Sequence, residues 1–114
     1  MTNKKKVLGK NTIIPNSPKG FKFDLIKNLN KKFKYSVRFS VFEFTSICPV
    51  TMQPDFGILI IDYVPKNWLV ESKSLKIYIQ SYRNHGIFHE EAVMKIGEDL
   101  FKSMRPVWFR IAGY

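Results

Sequence analysis

The order of hydrophobic patterns along this 114-residue chain predicts an α+β domain, an antiparallel sheet with two helices packed on one face. Three observations carry that prediction. Two strand-like segments, residues 35–45 and 56–64, are joined by a short loop, as in an antiparallel pair. Two helical faces then follow in succession, before a last strand-like stretch at Val107–Ala112. No Gly-rich phosphate turn follows a strand, so a doubly wound dinucleotide-binding fold is not supported.

In the first strand Val37, Phe39 and Val41 alternate with Arg38 and Ser40. Phe42 and Phe44 continue on the opposite parity, which predicts a bulge or burial on both faces. The second strand has an apolar centre at Ile58–Ile61 and ends at Pro65. In the first helix Leu75, Tyr78, Ile79 and Tyr82 share a face, with Ser72 as its N-cap and Asn84-His85-Gly86 as its stop. A second helix is predicted from His89 to Met104, with Val93, Ile96, Leu100 and Met104 inward and Glu90 and Glu91 suiting its dipole. Pro106 closes it. Phe21, Leu25, Ile26 and Leu29 are spaced for a short helix within 21–34, although Asn28 and Asn30 weaken it. Residues 1–20, with Pro15, Pro18 and two glycines, read as an extended arm of a single 1–114 domain.

Composition narrows the function classes. Hydrophobic residues are 45% and aromatics 15%, which is globular rather than disordered. No apolar run approaches the roughly 20 residues of a membrane span. No signal-peptide-like stretch follows the N-terminal lysines, so a cytoplasmic protein with a reduced thiol is expected. The net charge is +10, but residues 1–34 hold ten lysines against Asp24 alone, and the remainder is nearly balanced. Such an arm suits phosphate, as in a basic RNA-binding module. It equally suits a solvated segment, the reading favoured by the absence of arginine from it.

The single cysteine, Cys48, lies beside Pro49 in the loop between the two strands, seven residues before Asp55. A lone thiol is either small apolar filling or a nucleophile. As a nucleophile it needs a depressed pKa or a nearby base, and Asp55 can exchange the proton. Glu71-Ser72-Lys73-Ser74-Leu75-Lys76 brackets a helix start where amides and lysines can meet an anion, or is an ordinary capped helix. His89 and Glu90 open the second helix, where a carboxylate can accept from a guanine-like ring edge or simply cap. Cys48, His85 and His89 lack metal-ligand spacing, so no metal is expected.

Taken together, Cys48-Pro49-Val50-Thr51, Gln53-Pro54-Asp55-Phe56, Glu71-Ser72-Lys73-Ser74-Leu75-Lys76, Ser81-Tyr82-Arg83-Asn84 and Phe88-His89-Glu90 resemble the NADPH-dependent 7-cyano-7-deazaguanine reductases of queuosine biosynthesis, in their short single-module form. The resemblance covers residues 42–114 and is specific as a set. It implies the tunnelling fold, in ring-forming homo-oligomers with active sites between subunits, and a deazapurine nitrile reduced to an aminomethyl group by two NADPH. It implies that Cys48 forms a covalent thioimide and that Asp55 protonates the nitrogen. Val70, Glu71, Ser72, His89 and Glu90 are implied to bind substrate, and Ser72 and Lys73 the cofactor. No direct nucleic-acid or membrane partner is implied. Two departures stand inside the motifs: Met52 where the family usually has glycine, and Tyr82 for a usual phenylalanine. A further family segment, an Arg-Gly-Gly stretch with another strand, is expected after Tyr114 and is not in this sequence. The alternatives carried forward are another tunnelling-fold enzyme acting on a purine or pterin, which would want a metal, and the RNA-binding module.

Overall fold

A computed structural model describes residues 13–114; the greater part of the expected N-terminal arm, residues 1–12, lies outside the described residues. The elements in order are β1 (Leu25–Lys27), β2 (Val37–Ile47), β3 (Pro54–Val64), β4 (Trp68–Val70), α1 (Ser72–Gln80), α2 (His89–Met104) and β5 (Trp108–Gly113). The main sheet has the order β2-β3-β5 and is antiparallel throughout. A small second sheet pairs β1 with β4. The expected parity change in the first strand is a register shift between Val41 and Phe44.

Alternation puts Phe44, Leu59, Ile61 and Tyr63 on one face of the sheet, where α1 and α2 cover them. Leu75, Tyr78 and Ile79 come from α1, and Ala92, Ile96, Leu100 and Met104 from α2. Each fully buried aliphatic side chain stabilises the fold by roughly 1.5–3 kcal/mol. Among them lies a polar thread. The Tyr78 hydroxyl donates to Asp99 Oδ2 at 2.6 Å and pairs with the Tyr82 hydroxyl at 2.9 Å. Burial pushes both phenols up, Tyr82 to about 12. The hydroxyl by which Tyr82 departs from the family pattern is thus satisfied in the core.

Three sequence expectations are corrected. Residues 21–34 hold no helix; their apolar side chains serve a period of two, with Phe21 and Phe23 both against Tyr78 at 5.3 and 4.6 Å between centroids. Leu29, needed inward by a helix, is exposed. Asn28 instead anchors the turn, donating to Lys66 O and accepting from the Tyr35 hydroxyl. The N-cap of α1 is Glu71, not Ser72, because the longer carboxylate reaches two amides at once. Finally, α1 stops at Gln80, and residues 81–85 form tight turns before the expected Asn84-His85-Gly86 stop.

Candidate active site

Six residues, 48–53, carry the chain from β2 to β3. The loop closes on its own backbone: the Cys48 amide donates to Gln53 O and the Met52 amide donates to Cys48 O, both at 2.9 Å. That closure holds Met52 at a φ of 58°, in the left-handed region that glycine adopts without strain. The half-buried Cys48 sulfur faces the amide and hydroxyl of Thr51 and the amide of Val50. These donors favour the thiolate and hold the thiol below its ordinary range, outweighing partial burial and the Asp55 charge, which act upward. Such a setting suits a thiol that reacts as the thiolate.

Asp55 lies on β3, directly opposite Ser46 of β2. Ile47 is the joint between this loop and α2. Its amide donates to His85 O at 3.0 Å, and its carbonyl accepts from the Ile87 amide at 3.1 Å, a parallel bridge to the segment that enters α2. His89, the first residue of α2, is thereby laid onto the sheet. Its ring is pressed between Gly57 of β3 and Gly113 of β5, with Phe44 nearby at 6.3 Å between centroids. A Cβ on Gly57 would stand 2.7 Å from His89 Cε1, and one on Gly113 3.1 Å from His89 Nε2. Both glycines serve close approach, and neither was singled out in the sequence. Glu90 follows at the exposed end of the same helix, whose N-cap, Phe88, makes no side-chain hydrogen bond. Two buried polar atoms here have no hydrogen-bond partner among the described residues: Ser46 Oγ and His89 Nε2.

So Cys48, Asp55, His89 and Glu90 gather at one end of the sheet. Val70, Glu71, Ser72 and Lys73 gather at the other. The Val70 amide donates to the Tyr63 hydroxyl at 3.3 Å, and Tyr63 is paired with Val37, at the start of β2. Cys48 follows the far end of that 11-residue strand. At this second end Glu71 is buried, and its carboxylate accepts from the Ser74 amide at 2.8 Å and the Lys73 amide at 3.0 Å. Its own amide donates to Asp24 O. Ser72 is exposed beside it. Between α1 and the edge of β2 runs a cavity of about 220 Å³, lined by Ser72, Lys76 and Arg83 along with apolar Val41, Leu75 and Ile79. No group of three His, Cys, Asp or Glu placed to hold a metal occurs among the described residues.

The chain matches the QueF-like protein family over residues 54–114. It is 52% identical over 109 residues to an NADPH-dependent 7-cyano-7-deazaguanine reductase of Parvibaculum lavamentivorans, covering 96% of this chain and 71% of that protein. It is 51% identical over 114 residues to the protein of the same name from Bradyrhizobium sp. (strain ORS 278), covering 100% of this chain and 72% of the relative. Among solved structures, the apo archaeosine synthase QueF-Like superposes with a TM-score of 0.65 at 23% identity, over 68% of this chain and 77% of that one, a likeness of fold. A thiol cradled by donors beside an aspartate, on an α+β sheet with two helices, coincides with half-identity to these reductases along nearly the whole sequence: the chain belongs to the family of NADPH-dependent 7-cyano-7-deazaguanine reductases.

Proposed function

We propose that this chain reduces the nitrile of 7-cyano-7-deazaguanine to an aminomethyl group, consuming two NADPH, as a cytoplasmic step of queuosine biosynthesis. Cys48 adds through its sulfur to the nitrile carbon. A C–S bond forms, one π pair of the nitrile moves to nitrogen, and Asp55 supplies the proton that nitrogen takes. The resulting thioimide is a better hydride acceptor than the nitrile, which is the gain of covalent catalysis. NADPH supplies one hydride to the carbon in each of two rounds. Cys48 departs as thiolate after the first round, taking the C–S pair and leaving an imine. Protons delivered at nitrogen complete the balance of two hydrides and two protons per nitrile.

Glu90 accepts from the N–H donors of the base's guanine-like edge, and His89 supports the ring. Val70, Glu71 and Ser72 line the far side of the base, and Ser72 and Lys73 seat NADPH. The exposed Ser72 hydroxyl and the cations flanking the α1 cavity suit a phosphorylated cofactor in charge. These residues stand at the opposite end of the sheet from Cys48 within one chain. The complete site therefore takes its two halves from two subunits of a homo-oligomer. Exposed Phe42, Phe56 and Trp108, with the open edges of β2 and β5, support such an assembly. The substrate is a small molecule, and no nucleic acid or membrane takes part directly; no helix among the described residues is long and apolar enough to cross a membrane.

The observation that carries this reading is the Cys48 sulfur held by Val50 and Thr51 donors next to Asp55. Incubation with the cyano base followed by intact-protein mass spectrometry tests it. Wild type is expected to gain the mass of the base, and Cys48→Ala to gain nothing and to lose at least about 10³-fold in turnover. An unmodified wild-type protein would remove the assignment.

A further inference from the structure

The reaction above gives Asp55 a charge to dispose of. Once its proton has gone to the substrate nitrogen, a half-buried carboxylate remains next to the Cys48 loop, where the thiolate will return. Its own charge already acts against that thiolate. A carboxylate in that position needs a hydrogen-bond donor.

We propose that Ser46 is a positioning residue for Asp55, its buried hydroxyl donating to the carboxylate that Asp55 becomes when it releases its proton. The inference rests on the reading of Asp55 as proton donor. Ser46 is 0% exposed, and its Oγ has no hydrogen-bond partner among the described residues. A buried hydroxyl without a partner is uncommon enough to call for an explanation. The register supplies one. Ser46 and Asp55 are direct cross-strand partners, so their side chains leave the same face from Cα atoms about 4.5–5.5 Å apart. That face is the one the helices cover, because Phe44 and Gly57, the next pair on it, lie under His89. Beyond Ser46 on the same side the chain turns into the Cys48 loop. The serine hydroxyl thus has Asp55 beside it, His89 two residues along the sheet, and the nucleophile two residues ahead. Direct pairing across the two strands puts the Asp55 carboxylate within side-chain reach of Ser46.

Removing a hydroxyl that has no partner in the resting protein removes no hydrogen bond from it. Ser46→Ala is therefore expected to keep or raise the melting temperature while slowing turnover. The expected loss is about 10-fold in kcat, with KM for the base changed less than about twofold, since the base does not touch Ser46. Asp55→Asn is expected to lose about 10³-fold, within the range of general acid catalysis. In the double variant the Ser46→Ala loss disappears, because the group it serves is gone. Ser46→Thr keeps the hydroxyl and is expected to keep kcat within about threefold; it also serves if the alanine variant misfolds. Wild-type kcat in Ser46→Ala, or a full second loss on top of Asp55→Asn, overturns the inference. Normal turnover in Asp55→Asn instead overturns the assignment of Asp55 itself, so the two failures are told apart.

Discussion

The two ends of the sheet are built on opposite principles. At the Cys48 end the chain accepts local disadvantages: a non-glycine residue at positive φ, two buried polar atoms without partners among the described residues, and a helix start with no side-chain cap. At the Glu71 end the buried polar groups of the helix start, Glu71 and Ser74, have partners within the same chain. Glu71 alone accepts from two amides and donates to Asp24 O. Strained backbone and buried polar atoms without partners collect at functional sites. The contrast sets the proposed covalent chemistry at the first end and, at the second, a helix start whose cap is already made within the chain. It also means that Glu71 cannot offer its carboxylate to a substrate without giving up its cap.

The comparison is broken most forcefully at Gly57. A side chain there must displace the His89 ring, which Gly113 confines on the other side, and it also meets Tyr114 O at 3.1 Å. Gly57→Val is expected to lower stability by about 1–3 kcal/mol, the usual range for overpacking. It is also expected to weaken binding of the base by at least tenfold, a loss of about 1.4 kcal/mol. Thermal unfolding and equilibrium binding measure the two effects. A destabilised variant with undiminished affinity would take His89 out of the base site.

Next in size is Glu71→Ala. Loss of the cap is expected to lower stability by about 1 kcal/mol, read as a shift in the denaturation midpoint at constant slope. Binding should weaken only in proportion to the disturbed α1 start. If the variant instead keeps its midpoint and no longer binds the base, the carboxylate serves ligand and not helix, and the contrast between the two ends dissolves.

Much of the scaffolding was legible in the sequence because it follows periodicity. Alternation at Val37–Val41 and the 3.6-residue spacing of Val93, Ile96, Leu100 and Met104 are local signals, and β2 and α2 formed where they pointed. The parity change at Phe42 and Phe44 marked the bulge for the same reason. Residues 21–34 misled because Phe21 and Phe23 are drawn to Tyr78 by tertiary packing that no local spacing encodes. The thiol and its aspartate could be named from residue type and separation. The donors that tune the thiol, the glycines beneath His89 and the empty hydroxyl of Ser46 could not. They are set by loop closure and strand register, which bring together residues distant in sequence, as in the approach of Gly57 and Gly113, 32 and 24 positions away, to His89.

The smallest effect separates strain from reactivity within the Cys48 loop. Met52 pays for its φ of 58° with unfavourable backbone contacts that glycine lacks. Met52→Gly is expected to raise stability by about 0.5–1 kcal/mol, partly offset by the greater chain entropy of glycine. The thiol should be unaffected, because its donors are the Val50 and Thr51 amides and the Thr51 hydroxyl. Thr51→Val removes the hydroxyl donor and leaves the backbone in place. The thiolate is the reactive form, so the rate of Cys48 alkylation followed against pH reports where it appears. Since the folded protein holds this thiol below its ordinary range, the midpoint is expected below that of an unperturbed cysteine in wild type, unchanged in Met52→Gly, and higher in Thr51→Val. An upward move in Met52→Gly equal to that in Thr51→Val would mean that the strained turn itself aims the donors at the sulfur, tying the cost of this end of the sheet directly to its chemistry.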